Sequence, residues 1–349
     1  MMTVTFRPAF MVLPLIKPGG FPAIMCLPPA RHTGANIEAA AQTALHLLLT
    51  EEQEHLAVSS LGCEVVGRAG EGHYGSVLLA SSSGGDVAIK IAPHPSETLA
   101  VEATVLRAMS GQPGFPELHS LVDAAGGSKL DALVMERLGP SLHDVWEKTT
   151  SSTALPGARV LHLGRSMLES LRHLHAAGFV HNDIKPNNVL LGRPGPCAEL
   201  PHLIDFGLAT SADGSLGGQR GTPLFASIAA HAGEPTRPVH DVESLVYCLA
   251  YLASGRLPWE RKPASRAAFM KRRMLTDGCS TLMDSCEVDR LTEDVHAAET
   301  AEALQLVWSE VVAAHEAQAA AVDYDACLRA FGPSARISAT SARLTRFWH

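Results

Sequence analysis

The pattern of the chain changes at about Gly139, where short strand-like segments give way to long helical ones. CEVVGRA, SVLLAS and DVAIKIA are β-branched runs separated by glycine and serine clusters, and LVDAAGGSKLDALVMERLG predicts two further strands joined by a glycine turn. One helix is predicted between these strands, with Ser96 as its cap and Gly111 as its stop. Strands grouped ahead of helices predict an α+β fold of two lobes rather than an alternating βαβ fold. After Gly139 the predicted helices are 141–148, 158–177, 241–253, 263–275, 288–321 and 325–331.

The predicted domain boundaries follow this change of pattern. Residues 61–332 are expected to form one domain, with a strand-rich N-lobe over 61–138 and a helical C-lobe over 139–332. Residues 1–60 are expected to be a partly disordered N-terminal extension, in which NIEAAAQTALHLLLTEEQEHLAV predicts a helix at 36–58. Residues 333–349 are expected to be a C-terminal tail.

Net charge and hydropathy argue against two broad classes of protein. The formal net charge is −8, whereas a dedicated nucleic-acid binder is usually basic, so we expect no nucleic-acid partner. No apolar run reaches the ~18 residues that a membrane span requires. The best candidate, LVYCLAYLA from Leu245, is short and predicts a buried core helix. We therefore expect no membrane span, and we expect a monomer.

Cysteine usage and the N-terminal composition bear on the compartment. The seven cysteines are scattered without a C-x-x-C pair, which is typical of reduced thiols in an intracellular protein. The first 37 residues contain basic residues and prolines but no Asp or Glu, so an organelle transit peptide is an alternative. Because the prolines disfavour one long amphipathic helix, a cytoplasmic or nuclear protein is the favoured interpretation.

A glycine-rich sequence, GEGHYGSV, stands between the first two predicted strands. Gly70, Gly72, Gly75 and Val77 have the spacing G-x-G-x-x-G-x-V, and glycines let a backbone approach phosphate groups closely. A strand follows where a dinucleotide-binding unit would open a helix, so the motif is not of that kind. Taken alone, it could be an ordinary glycine-rich hairpin. VAIK, which ends at Lys90, follows in the order in which a lysine reaches the α- and β-phosphates of ATP.

A lysine in that role needs a carboxylate to hold it in place. The helix that follows offers Glu97 and Glu102, and either could be an ordinary surface charge. We favour Glu102 as the partner of Lys90.

The loop FVHNDIKPNNVLLG carries four groups suited to phosphate transfer. Asp183 can orient an attacking hydroxyl and accept its proton, and Lys185 can neutralise charge on the transferring group. Asn188 offers an amide oxygen to Mg²⁺. His181 is expected to support the loop rather than to react. Further along, Asp205 opens a D-F-G tripeptide after a short apolar strand and can bind the same metal.

These motifs, in this order, resemble the protein kinase fold from about Cys63 to Phe331, and within it the casein kinase 1 group. VMERLGPSL is similar to the hinge of that group, and GTPLFASIAAH has its G-T-x-x-x-A-S-I-x-x-H pattern. DVESLVYCLAYLASGRLPWE and VDYDACLRAF resemble its central and last helices. The resemblance implies a two-lobed serine/threonine protein kinase that uses ATP and Mg²⁺ and acts on protein substrates.

The resemblance also implies roles for residues outside the quoted loop. Met135 would lie behind the adenine, and the backbone of Glu136 and Leu138 would hydrogen-bond the adenine edge. Ala88 would line the same nucleotide site, and Asp144 would approach the ribose.

Two further positions are implied beside the catalytic loop. Thr222 would contact Asp183 and Lys185 and favour serine or threonine as the acceptor. Asp241, near the start of the central helix, would hold the backbone of the catalytic loop.

The chain departs from the group at several places. Asn182 stands where an arginine or glycine is usual, which suggests that no phosphate on the activation segment is required. The segment 205–221 is short, and Leu224 replaces an arginine that binds acidic or phosphorylated substrates. The basic residues nearby are expected to form a solvated helix face: Arg261, Lys262, Arg266, Lys271, Arg272 and Arg273.

Two other functions remain open at this stage. A small-molecule phosphotransferase would fit Asn182, but such enzymes generally lack Lys185 and the D-F-G tripeptide at Asp205. A catalytically weak or inactive scaffold with a kinase fold would usually have lost the lysine, the base or the metal ligands, all of which are present here.

Overall fold

The computed structural model describes residues 51–72, 75–150, 154–195, 198–213, 221–279, 282 and 296–332. Most of the predicted N-terminal extension, the predicted C-terminal tail and positions 73–74 of the glycine-rich motif lie outside the described residues. Helix α1 spans Glu51–Ser60. The remainder of the helix predicted at 36–58 lies outside the described residues.

The N-lobe is a five-stranded antiparallel sheet with one helix inserted in its sequence. The elements are β1 (Glu64–Gly72), β2 (Gly75–Ser82), β3 (Gly85–Pro93), α2 (Glu97–Ala108), β4 (Leu118–Val122) and β5 (Leu130–Glu136). The strand order in the sheet is β1-β2-β3-β5-β4. Helix α2 begins after Ser96, whose hydroxyl accepts the N–H of Leu99 as an N-cap.

The two faces of this sheet have different roles because side chains alternate along each strand. On one face of β2 and β3, Leu78, Ile89 and Ile91 are almost completely buried against α1 and neighbouring strands. The other face carries Val77 opposite Lys90 in the antiparallel register. The first face is structural, and the second is free to line a cleft.

The C-lobe is built around helix α6 (Pro238–Ser254), which is buried along nearly its whole length. It packs against α4 (Gly157–Ala176) and α8 (Ala297–Glu316), and its segment from Leu245 to Leu252 is the buried core helix predicted from LVYCLAYLA. Two short strand pairs precede α6 in the chain: β6 (Phe179–Val180) with β9 (Thr210–Ser211), and β7 (Val189–Leu191) with β8 (Pro201–Leu203). The remaining helices are α3 (Leu142–Thr150), α5 (Ile228–Ala232), α7 (Ala264–Asp277) and α9 (Tyr324–Ala330).

The predicted fold class is confirmed: an antiparallel N-lobe sheet precedes a helical C-lobe in a bilobal α+β fold. Helix α8 begins at Ala297, and the first part of the helix predicted at 288–321 lies outside the described residues. Among the described residues, no helix has both the length and the apolar character that crossing a membrane requires.

Candidate active site

Strand β3 and helix α2 bring Lys90 and Glu102 together at the cleft face of the sheet. The Nζ atom of Lys90 donates hydrogen bonds to Oε2 of Glu102 at 2.6 Å and to Oδ1 of Asp205 at 2.6 Å. Glu97, the alternative partner, is exposed in the first turn of the helix. The lysine is therefore held between two carboxylates, and Glu102 is the one that α2 supplies.

The charges of this cluster stabilise one another. Burial disfavours the ammonium of Lys90, but the charges of Glu102 and Asp205 outweigh it and raise the pKa of Lys90. Burial likewise opposes ionisation of Asp205, yet Lys90, with a smaller contribution from Lys185, lowers the pKa of Asp205. At neutral pH the Lys90 side chain therefore stays positively charged, which suits the binding of phosphate. The Asp205 carboxylate stays ionised, which suits the binding of a metal ion.

Glu102 also links α2 to the D-F-G tripeptide. Its Oε1 accepts the backbone N–H of Phe206 at 3.3 Å. The Phe206 ring is fully buried and lies 5.0 Å from the His181 ring and 6.0 Å from the Phe115 ring, measured between centroids. His181 thus supports the loop through packing, and its Nε2 bonds to the carbonyl of Ile204 at 3.0 Å.

The carboxylate of Asp183 is surrounded by hydrogen-bond donors. Its Oδ1 accepts the N–H of Thr222 at 2.8 Å and the Thr222 hydroxyl at 2.9 Å. Its Oδ2 accepts Lys185 Nζ at 2.7 Å and Asn188 Nδ2 at 3.0 Å. Lys185 also donates to the Thr222 hydroxyl at 2.9 Å, so the structure makes both contacts that the resemblance implied for Thr222. A hydroxyl can evidently donate to Asp183 in this geometry.

Asp241, at the start of α6, holds the backbone of the catalytic loop. Its carboxylate accepts the N–H of His181 at 2.6 Å, the N–H of Asn182 at 2.9 Å and His175 Nε2 at 2.9 Å. Burial opposes ionisation of Asp241, but the hydrogen bonds from His175 and His181 outweigh it and lower its pKa. The loop conformation therefore depends on one buried, ionised carboxylate.

Asn182 has a positional role that the sequence did not indicate. Its φ is 70°, in the left-handed region that asparagine tolerates better than most residues. Its Nδ2 donates to the carbonyl of Leu208 at 2.9 Å and to the hydroxyl of Thr210 at 3.0 Å. Asn182 thus ties the catalytic loop to the chain just past the D-F-G tripeptide.

The two predicted metal ligands are adjacent and chemically suited to Mg²⁺. The carbonyl of Asn188 accepts the N–H of Ile204, the residue before Asp205. Asn188 uses its amide hydrogens on Asp183, which leaves its amide oxygen as an acceptor. Asp205 has φ 64° and a side chain that is 37% exposed. One carboxylate and one amide fit Mg²⁺, which usually takes its remaining ligands from phosphates and water.

The sheet places Ala88, Lys90 and Met135 on the same face. Leu79 of β2 lies opposite Ala88 in the register, and Ala88 lies opposite Met135 of β5, whose side chain is buried. The backbone N–H of Glu136 donates to the carbonyl of Glu117, so a backbone contact from Glu136 to adenine would have to use the carbonyl oxygen of Glu136. Leu138 follows two residues after β5 ends.

Gly75 is the glycine of the motif at which the structure most clearly leaves no room for a side chain. Its φ is 139°, and a Cβ atom there would lie 1.9 Å from the carbonyl oxygen of Ile91. Gly70 and Gly72 lie on β1, where Gly72 is opposite Gly75 in the register. The close approach of β2 to β3 therefore requires glycine at this end of the hairpin.

Asp144, assigned to the ribose by the resemblance, forms part of a helix cap. Its Oδ2 accepts the N–H of Ser141 at 3.0 Å and the Ser141 hydroxyl at 2.6 Å. The Ser141 hydroxyl in turn accepts the N–H of Asp144 at 3.1 Å. This reciprocal arrangement is a capping box at the start of α3. A ribose contact would have to share this carboxylate.

Comparison with known proteins decides the family. The sequence model of the protein kinase domain matches residues 63–343, which is more than half of the chain. The chain belongs to the protein kinase family. This confirms the resemblance drawn from the order of the motifs.

One curated relative supports the narrower resemblance within the kinases. The chain is 36% identical over 189 residues to casein kinase 1-like protein HD16 from Oryza sativa subsp. japonica. The matched stretch covers 50% of this chain and 26% of the rice protein, so the chain spans about a quarter of that relative's length.

Lys271 is buried, and the prediction of a solvated basic face is wrong at this position. The side chain is 0% exposed, and Nζ donates to the carbonyls of Pro223 at 3.1 Å and Ala226 at 2.7 Å. It also lies 4.7 Å and 5.1 Å from the ring centroids of Tyr247 and Trp259. Lys271 therefore anchors the segment 222–226, which begins at Thr222, the threonine that bonds to Asp183.

The other predicted members of the basic face are exposed, as expected: Arg261, Lys262, Arg266, Arg272 and Arg273.

Leu224, in the same segment, is packed on the C-lobe rather than being fully solvated. It is half-buried against the hydrophobic core, and its carbonyl accepts Trp259 Nε1 at 2.8 Å. An apolar side chain at this position offers no charge to an acidic substrate.

We expect the stability that Lys271 contributes to change with pH. Burial, only partly offset by Glu243, lowers the pKa of Lys271 from 10.5 to about 7. Between these values the unfolded state binds more protons than the folded state, so the wild-type chain gains stability as the pH rises. The free energy of unfolding of the wild type relative to Lys271→Met should therefore rise by about 2 kcal/mol between pH 7 and pH 9.

Urea unfolding of both proteins at pH 7, 8 and 9 would measure this difference. Lys262→Met, which removes an exposed lysine just ahead of the same helix, supplies the baseline. A difference between wild type and Lys271→Met that does not change with pH would contradict the prediction.

Proposed function

We propose that the chain is a serine/threonine protein kinase of the casein kinase 1 group that transfers the γ-phosphate of ATP to hydroxyl groups of protein substrates with Mg²⁺. The observation that carries the proposal is that two groups of side chains suited to phosphate transfer are present together, one around Lys90 and one around Asp183. Lys90 lies between the carboxylates of Glu102 and Asp205, and the carboxylate of Asp183 lies among donors that include a hydroxyl. The pairing of the β3 lysine with the helix carboxylate is the arrangement on which phosphoryl transfer by kinases depends.

Each side chain has a distinct part in the transfer. Asp183 orients the acceptor hydroxyl and takes its proton while the hydroxyl oxygen bonds to the γ-phosphorus. The bond from that phosphorus to the bridging oxygen of ADP breaks, and ADP leaves with the bonding electrons. Lys90 holds the α- and β-phosphates, and Lys185 offsets charge on the phosphoryl group. Asn188 and Asp205 would hold Mg²⁺, which would supply further neutralisation of that charge when bound.

Two observations support hydroxyl groups of proteins as the acceptors. Thr222 places its hydroxyl on both Asp183 and Lys185, the position that the resemblance associates with serine or threonine substrates. The rice relative is named as a casein kinase 1-like protein. Because Leu224 is apolar, we expect no strong preference for acidic substrates. The contacts of Lys90, Asp183 and Thr222 do not favour the two alternatives, an inactive scaffold and a small-molecule phosphotransferase.

The experiment is transfer of labelled γ-phosphate from ATP to casein and to a mixed peptide library in the presence of Mg²⁺, beside Asp183→Ala. Transfer to serine or threonine that the variant lacks is the expected result. The library would also report the preference around the acceptor. Binding of Mg·ATP without any transfer would point to a scaffold, and transfer confined to small molecules would point to the other alternative.

A further inference from the structure

Helix α1 lies ahead of the part of the chain that matches the protein kinase domain, which starts at residue 63. Its buried residues Glu54, Ala57 and Val58 have the spacing of a single helical stripe, and its other residues are exposed. Two of them are apolar and join the core of the N-lobe. The third is a carboxylate that is only 2% exposed, which is unusual because a buried charge is costly unless it is paired.

The partners of Glu54 lie on the two strands that carry the glycine motif. Its Oε1 accepts Arg68 Nη1 at 3.4 Å, its Oε2 accepts Arg68 Nη2, and its Oε1 also accepts the hydroxyl of Ser76. Arg68 is two residues before Gly70 on β1, and Ser76 directly follows Gly75 on β2. One carboxylate therefore joins both strands of the hairpin at the level of its glycines.

The packing of α1 keeps that carboxylate in place. Ala57 and Val58 are fully buried in the same apolar cluster as Leu78 and Ile89, on the face of the sheet opposite Lys90. At its far end, α1 contacts the turn before β5, where a Cβ atom on Gly126 would lie 2.6 Å from Cβ of Ser60. The helix is thus fixed at both ends, and its carboxylate is directed at the hairpin.

We propose that Glu54 is a positioning residue for nucleotide binding: it clamps β1 and β2 so that the strand ends that carry Gly70, Gly72 and Gly75 are preorganised for the phosphates of ATP. The inference rests on the proposed function only in that the cleft binds ATP. Glu54 lies on the opposite face of the sheet from the nucleotide-binding residues, so it acts through Arg68 and Ser76. Preorganising a binding element lowers the cost of ordering it when the ligand binds.

The test measures Mg·ATP affinity directly, by calorimetry, and separates it from turnover. Glu54→Gln should weaken Mg·ATP binding by about fivefold to tenfold, while kcat at saturating ATP and the KM for the protein substrate stay at wild-type values. Hydrogen exchange should accelerate in β1 and β2 more than in β4 and β5. Ser76→Ala, which leaves no buried charge unpaired, should weaken ATP binding in the same direction by about twofold to threefold.

Two controls separate positioning from general stability. Glu52→Gln makes the same change at an exposed position of α1 and should leave ATP affinity unchanged. Val311→Ala opens a cavity in the core of the C-lobe, where α1 does not pack, and should lower the melting temperature with little effect on ATP affinity. Equal losses of affinity in Val311→Ala and Glu54→Gln, or wild-type affinity in both Glu54→Gln and Ser76→Ala, would overturn the inference. A wild-type chain that fails to bind Mg·ATP would overturn the proposed function instead.

Discussion

Replacing Asp183 with asparagine should lower kcat by about 10²–10⁴-fold while Mg·ATP binding is retained. Asparagine has nearly the same size but cannot take up the proton of the acceptor hydroxyl. The substitution replaces one carboxylate oxygen of Asp183 by an amide nitrogen. That nitrogen would face either the N–H and hydroxyl of Thr222 or the ammonium of Lys185. Lys90 and Asp205, which are expected to serve the phosphates and the metal, bond to each other and not to Asp183. Steady-state kinetics and calorimetry would measure the two effects separately.

A matched control for this variant exists on the same lobe. Asp325→Asn makes the same substitution in a side chain that is 77% exposed and pairs with Arg172 at 3.3 Å, so it should leave kcat unchanged. Wild-type kcat in Asp183→Asn would rule out Asp183 as the proton acceptor. Loss of Mg·ATP binding together with kcat would show that the substitution disturbs the whole cleft.

Three aspartates of the site differ in function because they differ in what they contact. Asp183 accepts a hydroxyl and an ammonium at the edge of the cleft, which suits proton transfer. Asp205 is paired with Lys90 and remains partly exposed, which suits a metal ligand. Asp241 contacts only donors that belong to the protein and is fully buried, so its role is to hold the loop.

Much of the fold and the central part of the site were predictable because they depend on local patterns. The helix predicted at 158–177 is observed at Gly157–Ala176, since apolar periodicity marks a long amphipathic helix clearly. The pairing of Lys90 with Glu102 could be anticipated because the order of the motifs brings that strand and that helix together. The cap formed by Ser141 and Asp144 had a readable signal as well: serine followed three residues later by an acidic residue at a helix start.

The remaining features could not be predicted because distant segments create them. Lys271 belongs to a run of basic residues, and only the packing of α7 on the segment 222–226 selects it for burial. Glu54 lies in a run of acidic residues, and only the docking of α1 on the sheet distinguishes it. The bond from His175 to Asp241 joins two helices whose relative position no local pattern specifies.

Replacing Asp241 with asparagine should destabilise the chain by about 3 kcal/mol, because it puts an amide donor among donors in a fully buried site. The wild-type carboxylate accepts the N–H groups of His181 and Asn182 and bonds to His175. In the variant, the amide NH₂ group of asparagine would therefore face at least one of these donors without an acceptor between them. The loop that carries Asp183 should then lose its fixed position.

Urea unfolding would give the free-energy difference for Asp241→Asn, and kcat measured at a temperature where the variant remains folded would report the position of the loop. The exposed Asp325→Asn should change the unfolding free energy by at most about 1 kcal/mol, as is usual for a surface ion pair. We expect kcat of Asp241→Asn to fall and its Mg·ATP affinity to stay near the wild-type value, since Asp241 touches neither Lys90 nor Asp205. If the two variants lose equally little stability, the carboxylate of Asp241 is not what holds the loop, and the burial of the central helix alone must account for its conformation.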